Sequence, residues 1–170
     1  MMVYLIRHGG VENPLGIKYG RLPGFPLSEK GCQQVELLAK TLEGKGIQVI
    51  YASPLLRTKQ TAEILAKHFG VSINYSDMIL EVDHGSYQGI REEEYVKGEH
   101  WKHGGETLKE SGDRILEFLK GIKAESRHQT IAVVSHEGPL LMAVLNLKGK
   151  TEEDYDSVKL PTAGYLELEF

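Results

Sequence analysis

Ile131-Ala132-Val133-Val134-Ser135-His136-Glu137-Gly138-Pro139 decides the fold. Its four leading apolar residues read as a buried strand, which Ser135-His136-Glu137-Gly138 brings to a stop. Pro139 then suits the first turn of an apolar helix that continues to Leu147. The start of the chain repeats this pattern. Val3-Tyr4-Leu5-Ile6 is a short apolar run that ends at Arg7-His8-Gly9-Gly10.

Between these two strands the elements alternate. Ser28 is placed to cap a helix carrying Val35, Leu38, Ala39 and Leu42 at helical spacing, with Gly44 and Gly46 ending it. Val49-Ile50-Tyr51 predicts a second strand, stopping at Ser53-Pro54, and a second helix puts Ala62, Leu65, Ala66 and Phe69 on one face before Gly70. A short third strand is expected over residues 71–75, a short helix near 92–96 and a longer one over 106–122, where Gly112 weakens the helical pattern. At the far end Leu166, Leu168 and Phe170 alternate inward against outward glutamates, a half-exposed last strand. Strand and helix in repeated order predict an α/β fold with a mostly parallel sheet. Residues 1–170 show neither repeat nor linker, so one domain is expected.

Composition excludes several classes. With 41% hydrophobic and 26% charged residues, the 170-residue chain is neither disordered nor fibrous. No apolar run approaches the ~20 residues needed to cross a bilayer, so no membrane partner is expected. A formal charge of -4 argues against nucleic acid as a partner. The single Cys32 and the absence of a basic, cleavable leader fit a cytoplasmic location.

Function is expected where the strands end. In open α/β sheets ligands bind beyond the carboxyl ends of the parallel strands, and His8 and His136 each follow one such end. Arg7 directly after a strand requires an anionic partner, either a carboxylate or a phosphate gripped through two hydrogen bonds. Arg57 opens a helix near the same edge, where helix N-termini favour anions. Two arginines, two histidines and helix N-termini at one edge point to a phosphate site.

These elements resemble those of the histidine phosphatase superfamily, the phosphoglycerate mutase-like proteins. The likeness is carried by Leu5-Ile6-Arg7-His8-Gly9, by Gly20 with Leu27-Ser28-Glu29-Lys30-Gly31, and by Ser53-Pro54-Leu55-Leu56-Arg57-Thr58. It continues through Glu81-Val82-Asp83-His84-Gly85, Gly104-Gly105-Glu106-Thr107 and Val134-Ser135-His136, in the family's order and over nearly the whole chain. The resemblance implies a three-layer α/β/α architecture and a metal-independent phosphatase with no cofactor, acting on a small phosphorylated substrate. It implies His8 as the nucleophile that becomes phosphorylated, and Arg7, Arg57 and His136 as the groups holding the phosphoryl oxygens. It implies Glu81 as general acid and then general base, with Asn13 and Gly20 as further phosphate-binding positions.

The chain also departs from the family pattern. Gly10 and Val11 replace the usual Glu and small hydroxyl residue after Arg-His-Gly, and Asn13 lies one residue closer to the histidine than usual. Glu137 stands where many members have glycine, adding negative charge near the pocket. Arg21 reads equally as part of a turn or as a clamp for a second anion. His84, His100 and His103 read as loop residues near the pocket mouth rather than a metal cluster, and Trp101 as loop packing or substrate contact. Gly149-Lys150-Thr151 follows a helix, and Val144 stands where a nucleotide P-loop needs glycine, so that motif is rejected. Two further functions fit the same residues: a cofactor-dependent phosphoglycerate mutase, and a non-catalytic phospholigand- or partner-binding relative. The modest length favours hydrolysis over mutase activity. The sequence leaves the oligomeric state open.

Overall fold

The computed structural model describes residues 1–95, 100–125 and 130–170. Strands β1 (Met2–Arg7), β2 (Val49–Ala52), β3 (Ser72–Tyr75), β4 (Thr130–Ser135) and β5 (Tyr165–Glu169) form one sheet in the order β3-β2-β4-β1-β5. Pairings β2–β3, β2–β4 and β1–β4 are parallel, whereas β5 runs antiparallel along β1. Helices α1 (Glu29–Thr41) and α2 (Leu56–Phe69) cover one face, and α3 (Leu108–Glu125) and α4 (Glu137–Leu147) cover the other. This is the expected three-layer α/β/α arrangement.

The central strands lack a polar face because both faces are buried. Val3, Leu5, Ile131 and Val133 pack against α3 and α4, while Tyr4, Ile6, Ala132 and Val134 pack against α1 and α2. Burial on both sides explains continuous apolar runs in place of alternation. The edge strand β5 is only half-buried, and Leu166, Leu168 and Phe170 turn inward as expected.

Local signals set the helix boundaries. Ser28 Oγ accepts the Gly31 N–H at 2.9 Å, capping α1. Gly112, which weakens the helical pattern of α3, has a packing role. A Cβ there would stand 2.6 Å from the Met142 backbone, so glycine allows α3 and α4 to pack closely. α3 begins two residues later than expected, at Leu108. The short helix expected near 92–96 is a 3-10 turn over Glu92–Glu94, and Val96 lies outside the described residues. Thr151, part of the rejected P-loop motif, instead caps the 3-10 turn Glu152–Ser157 together with Asp154. Among the described residues, no helix is long and apolar enough to cross a membrane.

Candidate active site

The parallel register of β1 and β4 sets Arg7 opposite Ser135, so the next residues, His8 and His136, leave the sheet side by side. Their rings meet edge to face with centroids 5.4 Å apart. His8 is buried, and its Nδ1 lies 2.8 Å from the Gly9 carbonyl. A carbonyl can only accept, so Nδ1 carries the proton and Nε2 keeps its lone pair. Burial, reinforced by the Arg57 charge, lowers the His8 pKa to about 3. His8 is therefore a neutral imidazole at neutral pH with Nε2 available as a nucleophile.

Arg57 is only 1% exposed, an unusual burial for a guanidinium. Its Nη2 donates to the Gly20 carbonyl at 2.7 Å, and the Tyr19 ring lies 4.7 Å from its guanidinium carbon. Gly20 has φ +43°, and a side chain there would meet His84 at 2.8 Å, so glycine brings the carbonyl into reach. Tyr19 is steadied by stacking on Phe25 at 4.8 Å. His136 is wholly buried and places Nε2 2.9 Å from Ser53 Oγ. Burial, followed by the charge of Arg57, holds its pKa well below the usual histidine value.

Glu81 meets this group from the side. Its Oε2 stands 3.6 Å from His136 Nδ1 and 3.9 Å from Arg57 Nη2, and its Oε1 accepts the Val82 N–H at 2.9 Å. Burial raises its pKa, opposed by the Arg57 charge. A carboxyl whose pKa burial raises has the character a general acid requires. Behind it, Arg21 Nε and Arg114 Nη2 both donate to the Glu81 backbone carbonyl, at 2.8 and 3.4 Å. The same two arginines converge on Glu106 Oε1, at 2.7 and 2.6 Å.

Arg7 adds a second guanidinium to the group. Its Nη1 donates to the Leu160 carbonyl at 2.8 Å and to Glu137 Oε2 at 2.9 Å. Arg7, His8, Gly20 and Glu81 line a cavity of about 660 Å³, with Arg57 and His136 buried. Arg7 Nε, Arg57 Nε and His136 Nδ1 are buried without any hydrogen-bond partner. Three orphaned polar atoms from three of the candidate residues are costly unless a ligand satisfies them.

Residues 3–170 match the family model of the histidine phosphatase superfamily (branch 1). The chain belongs to this superfamily. It is 33% identical to phosphoserine phosphatase 1 of Hydrogenobacter thermophilus over 175 residues, covering 95% of this chain and 82% of the relative. It is 29% identical over 172 residues to a probable phosphoglycerate mutase GpmB of Salmonella newport, covering 89% of this chain and 78% of that one. Among solved structures, Bacillus stearothermophilus YhfR superposes with a TM-score of 0.87 at 22% identity, covering 99% of this chain and 90% of that one.

Within this histidine phosphatase fold, Arg7, His8, Gly20, Arg57, Glu81 and His136 come together at the carboxyl edge of the sheet. Asn13 stands apart from them. Its amide bonds the Ile17 N–H at 3.2 Å and the Ile17 carbonyl at 3.0 Å, bracing the loop, and it does not line the cavity. Arg21 is turned away as well, its guanidinium committed to Asp83, Glu106 and the Glu81 carbonyl. His84 lines the cavity, the His103 ring stacks on Tyr87 at 3.7 Å, and the side chain of His100 lies outside the described residues. Trp101 is half-exposed. Among the described residues no group of three His, Cys, Asp or Glu is placed to hold a metal ion.

Sequence reasoning did not single out Ser53, Arg114 or the Leu160 carbonyl. Ser53 lies inside a quoted motif, directly after a strand, which is a usable signal. Arg114 reads as an exposed helix charge, and a backbone carbonyl has no signature in the sequence.

Proposed function

We propose that the protein is a metal-independent phosphatase that hydrolyses a small phosphomonoester through a phosphohistidine at His8. The observation that carries this reading is the set of buried, unpartnered nitrogens, the guanidinium Nε–H groups of Arg7 and Arg57 and the Nδ1 of His136, around a neutral His8 imidazole. A phosphoryl group is an anion rich in acceptor oxygens, and one placed among them satisfies what the protein leaves open. Phosphoryl transfer depends mainly on positioning and charge stabilisation, and the guanidinium cations of Arg7 and Arg57 supply the charge.

His8 Nε2 attacks phosphorus, and the ester oxygen leaves with a proton from Glu81. Glu81, now a carboxylate, takes a proton from a water that attacks the phosphohistidine, releasing phosphate and restoring His8. Arg57 and the imidazole of His136 lie within 4 Å of the Glu81 carboxyl, so its proton transfers take place beside the phosphoryl-binding groups.

A mutase uses the same core residues, and this chain covers similar shares of its phosphatase and mutase relatives, 82% and 78%. Length therefore separates the two weakly. Charge separates them better. Among the described residues the cavity carries Glu92, Glu137 and Asp156 beside Lys18 and Lys159, a mixed lining without a second cluster of arginines for another phosphate.

The test is hydrolysis of para-nitrophenyl phosphate without metal, alongside a His8→Ala variant and a trap for acid-labile phosphoenzyme. Turnover and label on histidine, both absent in the variant, are expected. Efficient interconversion of 2- and 3-phosphoglycerate primed by 2,3-bisphosphoglycerate would favour the mutase. Tight phosphate binding without turnover would favour the binding relative.

A further inference from the structure

Glu137 has no part in the steps above, yet it is bonded to a residue that does. It is the first residue of α4, directly after His136, and it lines the cavity. Its Oε2 holds Arg7 Nη1 at 2.9 Å, and the Leu160 carbonyl takes the same nitrogen at 2.8 Å. Both bonds fall on Nη1, so the Nε–Nη2 edge is the part of the guanidinium left for a phosphoryl group, and its Nε is buried without a partner. Phosphate on that edge would then share Arg7 with a fixed carboxylate. The Glu137 side chain is 36% exposed, open to whatever the leaving group presents.

We propose that Glu137 is a specificity-determining residue, which disfavours phosphomonoesters carrying a second anionic group next to the ester and favours neutral or cationic leaving groups. This rests on the phosphatase reading above. The physical basis is like-charge juxtaposition. A carboxylate adjacent to the ester on the Arg7 side meets Glu137 at short range, with Arg7 already divided between Glu137 and phosphate. Glu92 and Asp156 add negative charge to the same lining. Among the described residues Lys18, above the Tyr95 ring at 4.4 Å, and Lys159 are the remaining cations of the cavity wall.

The experiment compares 2-hydroxyethyl phosphate with phosphoglycolate, two esters of nearly equal size that differ in hydroxymethyl against carboxylate. kcat/KM for each, and inhibition of para-nitrophenyl phosphate hydrolysis by each, are measured for wild type, Glu137→Gln and His8→Ala. Wild type is expected to prefer the neutral ester by about tenfold at low salt, with the preference shrinking as ionic strength rises. Glu137→Gln keeps an oxygen for Arg7 but removes the charge, and should bring the ratio to within about threefold by improving phosphoglycolate. Equal or better use of phosphoglycolate by wild type, or an unchanged ratio in the variant, overturns the role of Glu137 while His8-dependent turnover keeps the phosphatase reading. Turnover that survives in His8→Ala, or no turnover and no inhibition by either ester, overturns both.

Discussion

Ser53 Oγ stands 2.9 Å from Nε2 of His136, and the other nitrogen of that ring, Nδ1, faces Glu81 Oε2 at 3.6 Å. One hydroxyl at the end of β2 therefore fixes the ring that faces the proposed acid. Ser53→Ala should leave Nε2 unsatisfied in a buried setting, at a cost of about 1–3 kcal/mol. We expect turnover to fall about tenfold as His136 loses its orientation. Steady-state kinetics and thermal unfolding of the variant check both figures, and Ser53→Thr should restore part of the loss.

A proton donated by Glu81, as proposed, would matter most where the departing oxygen is a poor leaving group. Glu81→Gln should slow hydrolysis of alkyl phosphates by about 100-fold or more. Para-nitrophenyl phosphate, whose leaving group departs unprotonated, should suffer less in the step that phosphorylates His8. Burst kinetics with the two substrate types separates that step from hydrolysis of the phosphoenzyme. Because burial raises the Glu81 pKa, wild-type activity toward alkyl esters should fall on the alkaline side of its pH profile.

Both site histidines are buried neutral, which has a calculable effect on stability. The His8 pKa is about 3 in the fold and near 6.5 in the unfolded chain. Between these values the unfolded chain binds more protons, so stability is complete above about pH 6.5 and is lost as pH falls toward 3. His136 is shifted in the same direction. The slope approaches about 1.4 kcal/mol per pH unit for each fully shifted group. Denaturant titrations at pH 7 and pH 5 should show the loss, and His8→Asn should make it shallower.

Arg114 joins three carbonyls and a carboxylate: Met78 O at 2.7 Å, Leu80 O at 3.1 Å, Glu81 O at 3.4 Å and Glu106 Oε1 at 2.6 Å. Arg114→Ala should cost about 2–3 kcal/mol, since it leaves those acceptors and Glu106 undercompensated. It should also shift the alkaline limb of the pH profile as Glu81 moves. A purely structural role would lower the melting temperature and leave that limb in place.

Much of this arrangement was legible in the sequence because it follows from periodicity and punctuation. The runs ending at Arg7-His8 and Ser135-His136 placed two histidines at one sheet edge, and the register of β1 and β4 sets them side by side. Ser28 and Gly70 marked helix ends that the backbone respects. The side-chain partners of Arg21 were not legible. Its bonds run to Asp83 and Glu106, 62 and 85 residues away, and no local rule distinguishes such a brace from a substrate clamp. The local bonds of Asn13 to Ile17 likewise depend on the path of an irregular loop, which no local pattern specifies.

The bond from Arg7 to the Leu160 carbonyl spans 153 residues, and β5 then closes the exposed flank of β1. Contacts so distant in sequence form only after a large loop has closed, which makes them slow to assemble. Regain of phosphatase activity during refolding should therefore lag behind the recovery of helical signal. A fragment carrying every motif up to His136 but ending before Leu160 would keep its histidines and lack the anchor that aims Arg7.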